Sequence, residues 1–234
     1  MKIKITGYES LVKPFQSLSG SRSLWEVFND CIYLFSLAFQ NVTEHGEKHK
    51  ANEFEYKSTI GKYSKAEQET IFKIFAEITD RLEENPFQDL LGELYMRLNM
   101  GSEALGQFFT PYHLAQLNAK TIDADLIKSE IAEKGYVLVN EPACGAGANV
   151  IAFMEHAYEN NISFQRHVIA VCQDISSLTA RMCHVALSLL GVQAVIKIGD
   201  TLANPFISYR AELEKGSTLL RTPFFVSNGG YRRI

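Results

Sequence analysis

The sequence predicts an α/β protein in which an α-helical N-terminal domain, residues 1–103, precedes a partial parallel sheet in residues 104–234. Two observations predict it. Apolar residues recur at three- and four-residue steps through the first hundred positions, with no strand signal of similar quality before residue 135. After that point, short apolar runs of strand type alternate with helical segments. That order gives a parallel sheet with right-handed connections.

The elements follow in turn. Ser23 and Glu26 have capping-box spacing and open a helix whose face is Leu24, Phe28, Cys31, Phe35 and Phe39. The polar stretch 41–64 lacks periodicity and reads as an exposed loop. His45 and His49 within it have the spacing of a metal pair, but no further ligand cluster accompanies them, and a solvated charge run is the reading adopted. Ser64 and Glu67 cap a second helix carrying Ile71, Phe75, Ile78 and Leu82, which stops before Pro86. Phe87, Leu90, Leu91, Leu94, Tyr95 and Leu98 mark a third.

Thr110 as N-cap and Pro111 as first helical residue predict another helix start. YVLVN (136–140) is a strand leading into EPACGAGAN, a glycine-rich turn, and then a helix. HVIAVCQD (167–174) is a second strand, followed by a helix that closes on Gly191. VQAVIKIGD (192–200) is a third, and PFFVS (223–227) reads as a fourth.

Composition narrows the classes. The 234 residues are 46% hydrophobic and 21% charged, which excludes a disordered or low-complexity chain. A formal net charge of −4 argues against a general basic sheath for nucleic acid, though a local patch remains open. Four cysteines without a CxxC pair read as buried free thiols in a reducing cytosol. Neither a secretory h-region nor an apolar run of membrane-spanning length is visible, so a soluble, cytoplasmic protein is expected.

In a parallel sheet, functional residues gather at the carboxyl ends of the strands. That rule alone selects Glu141, Asp174 and Asp200. Acids at such ends can simply cap the helices that follow. Three together, beside a glycine-rich turn that is neither GxGxxG nor GxxxxGKS, suit a ligand rich in donors and repel phosphates. S-adenosylmethionine offers an ammonium, ribose hydroxyls and an adenine amine.

GQFFTP (106–111), NEPACGAGAN (140–149), QDI (173–175) and GDTL (199–202) resemble, in that order, the N6-adenine DNA methyltransferase (M) subunits of type I restriction–modification systems. The resemblance covers roughly residues 85–203 well and the first helices loosely. It implies a Rossmann-like, S-adenosylmethionine-dependent methyltransferase sheet. It also implies roles for residues: Phe109 and Thr110 at the methionine end, Glu141 on the amino group, and Ala143, Gly145 and Gly147 allowing close backbone approach. Asp174 would take the ribose hydroxyls and Asp200 the adenine amine, while Cys144 is read as packing.

The family's catalytic Asn/Asp-Pro-Pro-Tyr/Phe holds a flipped adenine. Here Asn228-Gly229-Gly230-Tyr231 stands in that register, with both prolines replaced by glycines. Asn228 and Tyr231 are therefore the candidate catalytic residues of a degenerate motif. Asn204-Pro205-Phe206 lies too close to Asp200 for another crossover and is set aside. The end at Ile234 suggests a truncated relative with an open sheet edge that a partner subunit or a second copy would cover. Weak DNA binding is expected, with Arg210, Arg221, Arg232 and Arg233 as local phosphate contacts. Two alternatives stay open: a catalytically impaired cofactor-binding regulatory or interaction protein, and a methyltransferase for a non-DNA amide or amine.

Overall fold

The computed structural model describes residues 7–98 and 109–234, the side chain of Tyr231 excepted. The 103/104 boundary and the opening of the GQFFTP segment, Gly106 to Phe108, lie outside the described residues.

The helical part comprises α1 (Glu9–Leu18), α2 (Leu24–Thr43), α3 (Gly46–Ile60), α4 (Lys65–Glu84) and α5 (Leu90–Arg97). The caps fall where spacing placed them. Ser23 accepts from the Glu26 amide, Ser64 and Glu67 form a reciprocal capping box, and Asn85 ends α4 before Pro86. The expected loop at 41–64 is a correction: most of it is α3. Its side chains have no apolar periodicity, so the hydrophobic pattern was silent. Intrahelical pairs Lys50–Glu47 and Lys57–Glu53 run along it, and the Asn41 amide donating to Glu53 (2.8 Å) ties it to α2. Phe28 stacks on Phe15 (5.3 Å) and Tyr95 (5.8 Å), closing α1, α2 and α5 around one core.

The second part runs α6 (Tyr112–Lys120), α7 (Ala124–Lys134), β1 (Val137–Glu141), α8 (Ala148–Glu159), α9 (Phe164–His167), β2 (Val168–Asp174), α10 (Ser177–Leu190), β3 (Gln193–Ile198), α11 (Tyr209–Glu214), β4 (Leu219–Arg221) and α12 (Pro223–Ser227). Strand order is β1-β2-β3-β4, with β1 to β3 parallel and β4 antiparallel to β3. Gly191 ends α10 in the left-handed conformation, φ +75°, as its position predicted. Thr110 does not cap α6; Pro111 takes that place and its carbonyl accepts from the Leu114 and Ala115 amides.

The sheet has two unlike faces. Val168, Ala170, Cys172, Ala194 and Ile196 join the large core shared with α8, α10 and the first helices. Ile169, Val171 and Val195 face Tyr209 and Phe225 in a smaller cluster under α11 and α12. At the outer strand β1 this second face is thin, and Leu138 is 46% exposed.

PFFVS is not a fourth strand. Thr222 accepts from the Phe225 amide and Pro223 occupies the first turn, so the run folds as the short helix α12. The Thr-Pro start read as a helix signal at 110–111 recurs at 222–223, where it is overlooked because the residues after it are apolar and β-compatible. Among the described residues, no helix is long and apolar enough to cross a membrane.

Candidate functional site

The parallel strands β1, β2 and β3 end side by side, and the turns leaving them are bonded to one another. The turn after β1 needs glycine at two points. Gly145 has φ +51° and a Cβ there would meet the Phe109 ring at 3.1 Å. Gly147, φ +101°, starts α8, and its Cβ would lie 3.2 Å from Cys183 Sγ. Bare backbone thus lines this turn, with the α8 N-terminus behind it.

The carboxylates fasten that backbone. Asp174 Oδ2 accepts from the Gly145 amide (2.8 Å), while its Oδ1 accepts from the Ser176 amide and the Thr179 hydroxyl, each at 2.9 Å. Glu141 accepts from the Ala143 amide (3.2 Å) and the Asn149 side-chain amide (3.0 Å). Asp200 Oδ1 accepts from the Leu202 amide (2.8 Å) and the Ala203 amide (3.3 Å). Backbone ties complete the frame: the Cys144 amide to the Gln173 carbonyl and the Gly199 amide to the Asp174 carbonyl, each 2.9 Å. The Thr201 hydroxyl donates to the Pro142 carbonyl, joining the first and third turns.

So the structure brings together Phe109, Glu141, Ala143, Gly145, Gly147, Asp174 and Asp200. Thr110 follows Phe109 at the exposed rim. Phe109 also stacks edge-on against Tyr95 at 5.3 Å, which anchors it to α5. Cys144, Cys172 and Cys183 are buried free thiols under the turn. The hydrogen bond with Cys172 pushes the Cys144 thiol well above its ordinary range, so it is a protonated packing group.

Asn228 falls elsewhere. Its side-chain amide donates to the Gln165 carbonyl (3.1 Å) in α9, just before β2 begins. It therefore sits at the amino end of the sheet, about 20 Å along β2 from Asp174 by strand rise. Strand β4, antiparallel to β3, brings the chain to the amino end of the sheet, where Arg221 pairs with Val195, and the short helix α12 leaves Asn228 there. The backbone of Tyr231 follows in a 3-10 turn, Gly230–Arg232. The set-aside Asn204-Pro205-Phe206 lies at the carboxyl end instead: the Gln173 side-chain amide donates to the Asn204 carbonyl (3.0 Å) and the Phe206 amide donates back to Gln173 Oε1 (3.1 Å). The spacing argument correctly leaves no room for a strand, but a turn alone reaches the site.

Sequence reasoning missed Asn149, Gln173, Lys197 and Glu212. Only Gln173 and Lys197 left a trace, as polar residues inside otherwise apolar strands. Arg221 also departs from expectation: it is paired with Glu44 and bonded to the Tyr209 hydroxyl (2.9 Å), which removes it from the candidate phosphate contacts.

The arrangement can accept a donor-rich ligand. Asn149 Oδ1 is a buried acceptor without a hydrogen-bond partner beside Glu141, while the glycines let the turn pack against the Phe109 ring and Cys183. Among the described residues no group of His, Cys, Asp or Glu is placed to hold a metal ion.

The glycine-rich turn and the strand-end acids of this α/β fold share one rim at the carboxyl ends of the parallel strands, where open α/β sheets as a class place their ligand sites. The family model for N-6 DNA Methylase matches residues 87–228, more than half of the chain, and the chain belongs to that family of N6-adenine DNA methyltransferases. No curated protein and no solved structure matches it.

Proposed function

We propose that this chain binds S-adenosylmethionine across the turns after β1, β2 and β3 in a Rossmann-like arrangement, and serves adenine-N6 methylation of DNA as a module of the type I M-subunit kind. The observation that carries the cofactor reading is the glycine turn bonded through Gly145 to Asp174, between Glu141 and the Asp200 turn. Each carboxylate keeps acceptor capacity after its internal bonds, which suits the ammonium, the ribose hydroxyls and the adenine amine. When bound, the cofactor supplies an electrophilic methyl group. Glu141 would orient its amino end, Asp174 the ribose and Asp200 the base, while Phe109 excludes water from the turn.

A second reading keeps the cofactor and drops the chemistry: a regulatory or interaction protein of this family. The placement of Asn228 at the amino end of the sheet favours it. In either case a cytoplasmic protein meets DNA weakly, through Arg210, Arg232 and Arg233. The thin face at β1 suits a partner subunit or second copy.

Calorimetry with S-adenosylhomocysteine, paired with methyl incorporation into unmethylated DNA, separates the readings. Binding with transfer supports the enzyme; binding without transfer by the chain alone or with candidate partner subunits supports the second. No binding at millimolar ligand refutes both.

A further inference from the structure

Gln173 and Lys197 are register partners on β2 and β3, one residue before each strand ends. Both side chains lie on the face of Val171 and Val195, and both are buried, at 2% and 1% exposure. Neither packs as a core residue normally does; each grips the turn that follows β3. Lys197 Nζ donates to the carbonyls of Asn204 (2.9 Å) and Pro205 (3.4 Å) and pairs with Glu212 (2.6 Å). Gln173 donates to the carbonyls of Gly199 (3.2 Å) and Asn204 (3.0 Å) and accepts from the Phe206 amide (3.1 Å). Glu212 is fully buried and also accepts from the Ile207 amide (3.3 Å) and the Ser217 hydroxyl (2.6 Å). The turn is thus gripped at its first carbonyl and again at 204–207, with Asp200 and Thr201 between the two grips.

Burying a lysine and a glutamate carries a large desolvation cost, and apolar replacements of such pairs are often as stable or more so. A pair of this kind is poorly explained as a stability device. What it does specifically is hold carbonyls that water would otherwise solvate, in a turn with no regular secondary structure.

We propose that Lys197, Glu212 and Gln173 are positioning residues that set the turn 199–206, and with it Asp200, against the glycine turn, so that the adenosine end of the cofactor is met by a preformed pocket. This rests on the cofactor reading above. None of these side chains touches the ligand; they act through the carbonyls they hold and through the Thr201–Pro142 link.

The test is the double variant Lys197→Met/Glu212→Leu, which removes both buried charges at similar volume. It should melt at or above the wild-type temperature. Amides within 200–206 should exchange with solvent faster while those of β2 and β3 keep their protection, and S-adenosylhomocysteine should bind on the order of tenfold more weakly. A merely structural pair would change the melting temperature and leave exchange of the turn and affinity in step with it. Should the double variant not fold, Gln173→Met removes the other grip without touching a charge and must weaken binding on the same scale at an unchanged melting temperature. Wild-type affinity in a folded variant overturns the positioning role alone. A wild-type chain that does not bind S-adenosylhomocysteine overturns the cofactor reading, and this proposal with it.

Discussion

Acid should loosen the joint between the helical part and the sheet through one residue, His184. It lies on α10, fully buried, with Nδ1 3.0 Å from Ser36 Oγ on α2 and Nε2 3.0 Å from the Arg221 carbonyl on β4. A carbonyl only accepts, so Nε2 carries the proton and Nδ1 accepts from the serine hydroxyl: the ring is neutral and fully used. Burial lowers its pKa from 6.5 to about 4, the Arg221 carbonyl opposing and the nearby Arg181 charge assisting. The folded pKa lies below the unfolded one, so the unfolded chain binds more protons between those values. Stability is complete above about pH 6.5 and falls as pH drops toward 4. The full difference is about 3 kcal/mol, of which about 2 kcal/mol is lost by pH 5. Urea unfolding of wild type and His184→Gln at pH 7.5 and pH 5 measures it. Asp89, whose burial lifts its carboxyl to about 6 against the Gly92 amide bond, pulls the other way but is common to both proteins. The wild type should therefore lose about 2 kcal/mol more than the variant over that interval. Equal losses in the two proteins would refute the argument.

Gly147→Ala should cost about 1–3 kcal/mol in urea unfolding, because φ is +101° and the added methyl meets Cys183 Sγ at 3.2 Å. Gly229→Pro, which moves the degenerate motif toward the family pattern, should lower stability by about 1–3 kcal/mol rather than restore activity. Position 229 has φ +68°, where proline requires about −65°, and its amide donates to the Val226 carbonyl. Asp174→Ala should reduce S-adenosylhomocysteine affinity by about 1–3 kcal/mol in calorimetry, since the carboxylate both frees a lone pair for ligand and holds the Gly145 amide.

The parts legible in the sequence were those where local signals agree. Ser64 and Glu67 announced α4 because capping chemistry and apolar period coincide there. Strands β2 and β3 announced themselves because both of their faces are covered and their sequences are almost continuously apolar, and β1, covered on one face, by the short run Val137–Val139 ahead of the glycine turn. What failed was where one signal had to decide alone. Helix α3 has no apolar stripe to detect. PFFVS is apolar enough for a strand, and only the Thr222–Pro223 start, worth a single hydrogen bond and a preset φ, tips it to helix. A register match to a family motif carried Asn228 into the site on paper; the backbone then took it to the other end of the sheet. Lys197 and Gln173 stand out as polar residues in apolar strands, but their clamp is not legible, because a polar residue in a strand says nothing of which carbonyl it will reach.

These features divide the sheet by end, and the division is itself testable. The amino end is joined to the helical part by polar bonds: His184 to Ser36, and Arg221 to Glu44, a pair with side-chain exposures of 19% and 13%. The carboxyl end is fastened mainly within residues 141–212 and reaches the helical part through the Phe109–Tyr95 contact. Glu44→Ala leaves the Arg221 guanidinium with the Tyr209 hydroxyl alone in a half-buried position, which should cost about 1–3 kcal/mol of stability. Nothing in that loss is transmitted to Asp174, Glu141 or the Asp200 turn, whose bonds do not pass through β4. S-adenosylhomocysteine affinity of the folded variant should therefore stay within about twofold of wild type, well under the tenfold that 1.4 kcal/mol represents. Measured at a temperature where both proteins are folded, an affinity that falls in proportion to stability would show that the two ends are coupled and that the site is not set by its own local bonds.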